Sequence, residues 1–220
     1  MPMPLPATTN RPQTVQPDAN WPRLVLGSTS PYRKELLSRI GLPFDTCAPR
    51  VEETALAGEL PRDLAWRLAQ AKAQDVARQG SGDMLVIGSD QVAELNGQAL
   101  GKPGTHERAK TQLQAMRGQR VLFHTAVCVV RPQTGYVGTR LNTVTVTFRH
   151  LSDEDIETYL QAEQPYDCAG SAKAESLGIV LLDAIESDDP TALIGLPLIA
   201  TSQLLREAGA DPLGWRTALR

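Results

Sequence analysis

Met84-Leu85-Val86-Ile87 is an unbroken apolar run that leads directly into Gly88-Ser89-Asp90. A run this short and this apolar reads as a buried strand. The carboxylate directly after it then stands at a strand end, where α/β proteins commonly place ligands. It can bind Mg²⁺ or take a proton from an attacking water. The plain alternative is a turn in which Asp90 caps neighbouring N–H groups.

The rest of the chain alternates between strand and helix signals. Arg23 to Leu26 is a short apolar strand, and Ser30-Pro31 opens a helix with Leu36, Leu37 and Ile40 inward and Gly41 at its end. Phe44 to Ala48 is a candidate second strand. A longer helix is predicted from about Pro61 to Gln79, with Leu64, Ala65, Leu68, Ala69 and Val76 at helical spacing. Asn96-Gly97 predicts a hairpin that sets Val92 to Leu95 against Ala99-Leu100. Thr105 caps a helix carrying Ala109, Leu113 and Met116. Long strands follow at Val121 to Val130 and Tyr136 to Arg149. Ser152 with Asp155 opens a further helix, Gly178 to Leu182 reads as a strand, and a last helix runs from near Pro197 to Gly209.

This is the pattern of one mixed α/β domain over residues 23–209. Residues 1–22, rich in Pro, Thr, Gln and Asn, read as a disordered extension, and residues 210–220 as a C-terminal tail. The extension lacks the apolar core of a secretory signal, and no apolar run approaches the roughly 20 residues that span a bilayer. A net charge of -3 gives no basic field to hold a nucleic-acid backbone. Cys47, Cys128 and Cys168 are far apart, which fits a reducing compartment, and the expected location is cytoplasmic. His106, His124 and His150 are equally scattered, against a His/Cys zinc site.

Four further segments carry residues suited to phosphate or metal chemistry. In Ser28-Thr29-Ser30-Pro31-Tyr32-Arg33 a strand ends in small hydroxyl residues at a helix N-terminus, whose free N–H groups can cradle a phosphate. Arg33 falls in the first helical turn, where the macrodipole disfavours a cation and an anionic ligand would offset that cost. The plain alternative is a capped helix with a solvated Arg. Lys72 shares a helical row with Leu64 and Leu68, so it must snorkel outward or meet an anion. Gly101-Lys102-Pro103 suits a Lys held against a phosphate, or an exposed turn. Glu52-Glu53 is a second source of carboxylate for a metal, or a solvated pair. The Gly-x-x-x-x-Gly-Lys-Ser/Thr loop, the Gly-x-Gly-x-x-Gly fingerprint and the Gly-x-Ser-x-Gly elbow are all missing.

In order and spacing these segments resemble the Maf family of nucleotide pyrophosphatases. The resemblance runs from Leu24 to Gly209 through Ser28-x-Ser30-Pro31-x-Arg33, Glu52-Glu53-Thr54, Leu68-Ala69-x-x-Lys72-Ala73 and Gly88-Ser89-Asp90. It continues in Gly101-Lys102-Pro103, Cys168-Ala169-Gly170-Ser171 and Gly195-Leu196-Pro197. It implies a mixed β-sheet with flanking helices, two lobes around a central cleft, and often a homodimer. The implied activity is hydrolysis of a nucleoside triphosphate between its α and β phosphates, with a divalent metal (Mg²⁺ or Mn²⁺). By position, Asp90 is the implied proton acceptor, Ser28, Arg33, Lys72 and Lys102 the phosphate ligands, and Glu53 with Asp90 the metal ligands.

Within the family the chain is most similar to the branch that cleaves 7-methyl-GTP. The similarity rests on Gln91, where the dTTP/UTP branch usually has Thr, on Cys168 to Glu175, and on Phe148 to Ser152. The implied selectivity residues are Tyr32, Gln91 and Glu175. An aromatic face attracts the cationic 7-methylguanine ring, and a carboxylate accepts from its N1–H and 2-amino edge. The branch more often has Trp where Tyr32 stands and a larger aromatic where Ala172 stands. The alternatives are a dTTP/UTP or other non-canonical nucleotide pyrophosphatase, and a non-catalytic nucleotide-binding regulator of septum formation.

Overall fold

A computed structural model describes residues 21–219. The expected extension therefore lies outside the described residues, except for Trp21 and Pro22, which pack against the domain.

Seven strands form one mixed sheet in the order β2-β1-β3-β5-β6-β7, with β4 paired to part of β3. The strands are β1 (Arg23–Gly27), β2 (Asp45–Thr46), β3 (Met84–Leu95), β4 (Gln98–Leu100), β5 (Arg120–Arg131), β6 (Tyr136–Phe148) and β7 (Leu182–Glu186). The pairs β1–β2 and β1–β3 are parallel, and all others are antiparallel. The helices are α1 (Pro31–Ser38), α2 (Pro61–Gln79), α3 (His106–Met116), α4 (Asp153–Glu163), α5 (Leu198–Glu207) and α6 (Pro212–Ala218).

Side-chain alternation along the strands divides the core into three. On one face α2 lays Leu64, Ala65, Leu68, Ala69, Ala73 and Val76 against Val86, Val92, Ala126 and Cys128. The opposite face carries two cores, one at each end. The first joins Leu85, Ile87, Val127 and Val129 to Leu36 and Leu37 of α1, Leu204 and Leu205 of α5, and Trp215 of α6. The second joins Phe123, Val144 and Phe148 to Leu113 and Met116 of α3 and to Ile156 and Leu160 of α4. Between them lies a polar seam of Ser89, Gln91 and Thr125, so the expected two lobes are two cores on one continuous sheet.

Local chemistry sets most element boundaries. Ser30 and Thr105 cap α1 and α3 through their side chains, and Ser152 with Asp155 makes a reciprocal capping box on α4. Four expectations are corrected. The strand foreseen at Phe44 to Ala48 is reduced to Asp45–Thr46, pairing only with Val25 and Leu26. Leu177–Leu181 is a 3₁₀ turn rather than a strand, and the strand begins at Leu182. The strand at Met84 does not end at Gly88 but continues to Leu95, because β5 pairs with it from Val86 to Glu94. Residues 212–218, read as tail, form α6, whose buried Trp215 stacks on Trp21 at 5.3 Å between ring centroids.

Candidate active site

β1 pairs with β3 as far as Gly27–Gly88, and β4 pairs with the same edge only from Ala93 to Leu95. Among the described residues, residues 89–92 of β3 thus have no strand partner on that side, and a cleft of about 560 Å³ opens at the gap. The position matches the rule that open α/β sheets bind ligands beyond the carboxyl ends of their parallel strands. The strand end that matters is that of β1, not of the strand bearing Asp90. Ser28, Tyr32, Arg33, Glu53, Lys72, Asp90, Gln91, Lys102 and Glu175 all line this one cleft.

The turn after β1 orders the first group. Ser30 Oγ accepts from the Arg33 N–H at 3.4 Å, and Ser28 Oγ accepts from the Ser30 N–H at 3.1 Å. Arg33 Nε donates to the Gly195 carbonyl at 2.9 Å, which holds the guanidinium across the cleft floor. Burial lowers the Arg33 pKa below its ordinary value, against the opposing charges of Asp90 and Glu53. The first turn of α1 holds no acidic residue, and the one carboxylate of the helix, Glu35, pairs with Arg39 rather than Arg33.

Lys72 stands on the buried face of α2, only 5% exposed, and reaches Asp90 Oδ1 at 2.6 Å and Glu53 Oε1 at 2.7 Å. It therefore meets anions rather than snorkelling. Gly88 makes this approach possible: a Cβ there would lie 2.5 Å from the Ala69 carbonyl oxygen and the Ala73 nitrogen. Asp90, 7% exposed, has its carboxyl pushed above the usual carboxylate range by burial, with Lys72 and then Arg33 pulling the other way. Among the described residues its second oxygen has no hydrogen-bond partner in the protein.

No group of three His, Cys, Asp or Glu side chains converges to hold a metal among the described residues. Two carboxylates, Asp90 and Glu53, do converge, and they already flank one cation, the Lys72 ammonium. Mg²⁺ is commonly held by one or two carboxylates together with waters and substrate phosphates. The donor set therefore fits a metal that brings part of its own coordination, rather than a resident one in an all-protein cage.

The opposite side of the cleft has different chemistry. Gln91 Nε2 lies 2.9 Å from Thr125 Oγ1, 3.0 Å from the Ala192 carbonyl and 2.9 Å from the Leu193 carbonyl. Its amide nitrogen is thus occupied, and Oε1 is the atom left to meet a ligand. Tyr32 donates to Asp167 Oδ2 at 3.3 Å, and Lys173 Nζ sits 5.9 Å from its ring centroid. Burial raises the Tyr32 hydroxyl to about 12. Glu175 stands at the rim, where burial by the surrounding wall raises its carboxyl pKa. Lys102 is exposed on a loop fixed through Gly101, whose carbonyl accepts from Gln112 Nε2 at 2.9 Å.

Asp167 and Leu193 complete the surroundings without a signal in the sequence, and Ser89 is marked there only as part of Gly88-Ser89-Asp90, with no role of its own. Ser89 is fully buried and donates to the carbonyls of Ala126 and Gly195 at 2.8 and 3.0 Å. Only the Gly195-Leu196-Pro197 segment signalled that the 191–197 turn belongs to the site.

The family described as Maf-like protein matches residues 23–208. A protein of Albidiferax ferrireducens named 7-methyl-GTP pyrophosphatase is 60% identical over 192 residues, 87% of this chain and 96% of that one. A Polaromonas protein of the same name is 63% identical over 84% of each chain. One from Paraburkholderia xenovorans is 57% identical over 88% of this chain and 95% of its own. With the family matched across the whole cleft-bearing domain, this chain is a member of the Maf family.

Proposed function

We propose that the protein hydrolyses the α–β phosphoanhydride of 7-methyl-GTP, giving 7-methyl-GMP and pyrophosphate. The observation that carries the reading is the pairing of a buried, half-satisfied carboxylate, Asp90, with Lys72 and Arg33 in one cleft. The names of the relatives, at 57–63% identity, support it.

In this reading Asp90 accepts the proton of a water as its oxygen bonds to the α-phosphorus and the bond to the bridging oxygen breaks. Arg33, Lys72 and Lys102 neutralise the charge that gathers on the departing pyrophosphate. Ser28 and the N-terminus of α1 bind phosphate oxygens. Asp90 and Glu53 would hold a divalent cation, Mg²⁺ or Mn²⁺, which when bound would supply Lewis-acid chemistry to the phosphates. Tyr32 stacks on the base, Glu175 accepts from its N1–H and 2-amino edge, and Gln91 Oε1 accepts from another edge of the nucleoside.

The same reading has the protein act in the cytoplasm as a homodimer. Three unpaired cysteines support the compartment, and family resemblance supports the dimer. Among the described residues no helix is long and apolar enough to cross a membrane.

The test is product analysis by ion exchange after incubation with 7-methyl-GTP and Mg²⁺ or Mn²⁺. The expected products are 7-methyl-GMP and pyrophosphate. Release of 7-methyl-GDP and phosphate would contradict the bond assignment. No turnover on any triphosphate would favour a nucleotide-binding regulator.

A further inference from the structure

Asp189 is 1% exposed and has no role in the chemistry above. Its Oδ1 accepts from the Thr191 N–H at 3.0 Å and lies 2.7 Å from the Thr191 hydroxyl. Its Oδ2 accepts from the Ile199 N–H at 2.8 Å and the Ala200 N–H at 3.4 Å, capping the start of α5 from outside the helix. Thr191 Oγ1 also lies 2.9 Å from the Leu196 carbonyl and accepts from the Leu198 N–H at 2.8 Å. One carboxylate therefore closes both ends of the 191–198 turn onto each other.

That turn presents its carbonyls to the cleft floor. Ala192 and Leu193 take the Gln91 amide, and Gly195 takes Arg33 Nε and Ser89 Oγ. Gly195 has φ +124, a backbone conformation that side-chain-bearing residues rarely adopt, so its carbonyl is aimed by the shape of the turn. Arg33 belongs to the phosphate side and Gln91 to the base side, and they come from distant segments. This single turn is where both are fixed.

We propose that Asp189 is a positioning residue that holds the phosphate-binding Arg33 and the base-facing Gln91 in register through the carbonyls of the 191–195 turn. The inference rests on the cleft being a nucleotide site. It goes further in making affinity for both ends of the ligand depend on a carboxylate that touches neither. Loss of one buried acceptor weakens a dependent contact by roughly five- to tenfold.

The test is isothermal titration calorimetry of the full chain with two probes, inorganic tripolyphosphate and 7-methylguanosine, with turnover of 7-methyl-GTP measured separately. Asp189→Asn keeps the side-chain shape but replaces one acceptor oxygen with an N–H₂ donor. Thr191→Val keeps the volume and removes the hydroxyl bridge, and it serves if Asp189→Asn does not fold. The expected result is a Kd raised about five- to tenfold for both probes, at an unchanged binding stoichiometry per folded chain. A merely structural role would lower the stoichiometry and the melting temperature while both Kd values stay at wild-type levels, and that result overturns the proposal. Weakening of one probe alone overturns the claim of a shared register. Failure of the wild type to bind either probe overturns this inference together with the site, whereas binding without turnover overturns only the hydrolytic reading.

Discussion

Lys72 Nζ lies 2.6 Å from Asp90 Oδ1, a contact made between the buried face of α2 and the unpaired stretch of β3. Among the described residues it leaves one Asp90 oxygen without a protein partner, on a side chain that lines the same cleft as Arg33. A carboxylate in this state is placed to accept a proton. Asp90→Asn removes the acceptor while keeping shape and polarity. It should lower kcat by roughly 10²- to 10⁴-fold and leave nucleotide affinity within a fewfold of wild type, as read by pyrophosphate release and calorimetry.

The same contact fixes the direction of the pH dependence. Burial raises the Asp90 pKa, so its protonated fraction builds up at a higher pH than for an ordinary Asp near 3.9. Activity falls as pH falls, and the acid limb of kcat/KM should lie above the usual carboxylate range. Lys72 is the largest opposing charge. Lys72→Met should therefore move the acid limb to still higher pH, in addition to weakening substrate binding. A pH–rate series on both proteins measures the displacement.

Gly88→Ala should destabilise the fold by about 1–3 kcal/mol, because its Cβ would press on the α2 backbone at Ala69 and Ala73. Activity per folded molecule should fall as well, since the displaced helix carries Lys72. Urea unfolding monitored by circular dichroism, with turnover normalised to the folded fraction, separates the two effects.

Trp215→Ala should cost about 3–5 kcal/mol, the range for removing a large buried aromatic side chain. It would leave Trp21 without its stacking partner. Thermal unfolding measures the loss.

Much of this architecture was legible in the sequence where one residue type has one local job. Helical spacing predicts the bounds of α2, and Ser30, Thr105 and Ser152 cap α1, α3 and α4 as their sequence signals predict. Lys72 on an apolar row either snorkels or meets an anion, and its burial beside Asp90 and Glu53 selects the anion. Other features depend on partners that are distant in sequence. Gly88 and Asp90 disfavour a strand locally, and only pairing with β5 carries β3 through them. The apolar run at Leu177–Leu181 suits a strand or a 3₁₀ turn equally. Helix α6 has seven residues including Pro212 and Gly214, and it is held by Trp215 in the core rather than by propensity. Asp189 lies in a polar stretch with no periodicity or spacing to mark it.

The central claim is a preference for a cationic base beside Tyr32, Gln91 and Glu175, joined to cleavage next to Asp90. Its most direct test is kcat/KM for pyrophosphate release from 7-methyl-GTP, dTTP, UTP and ITP under one set of metal conditions. The account predicts the highest value for 7-methyl-GTP, by about tenfold or more, the scale of one well-placed charged contact. Equal values on all four substrates would contradict it.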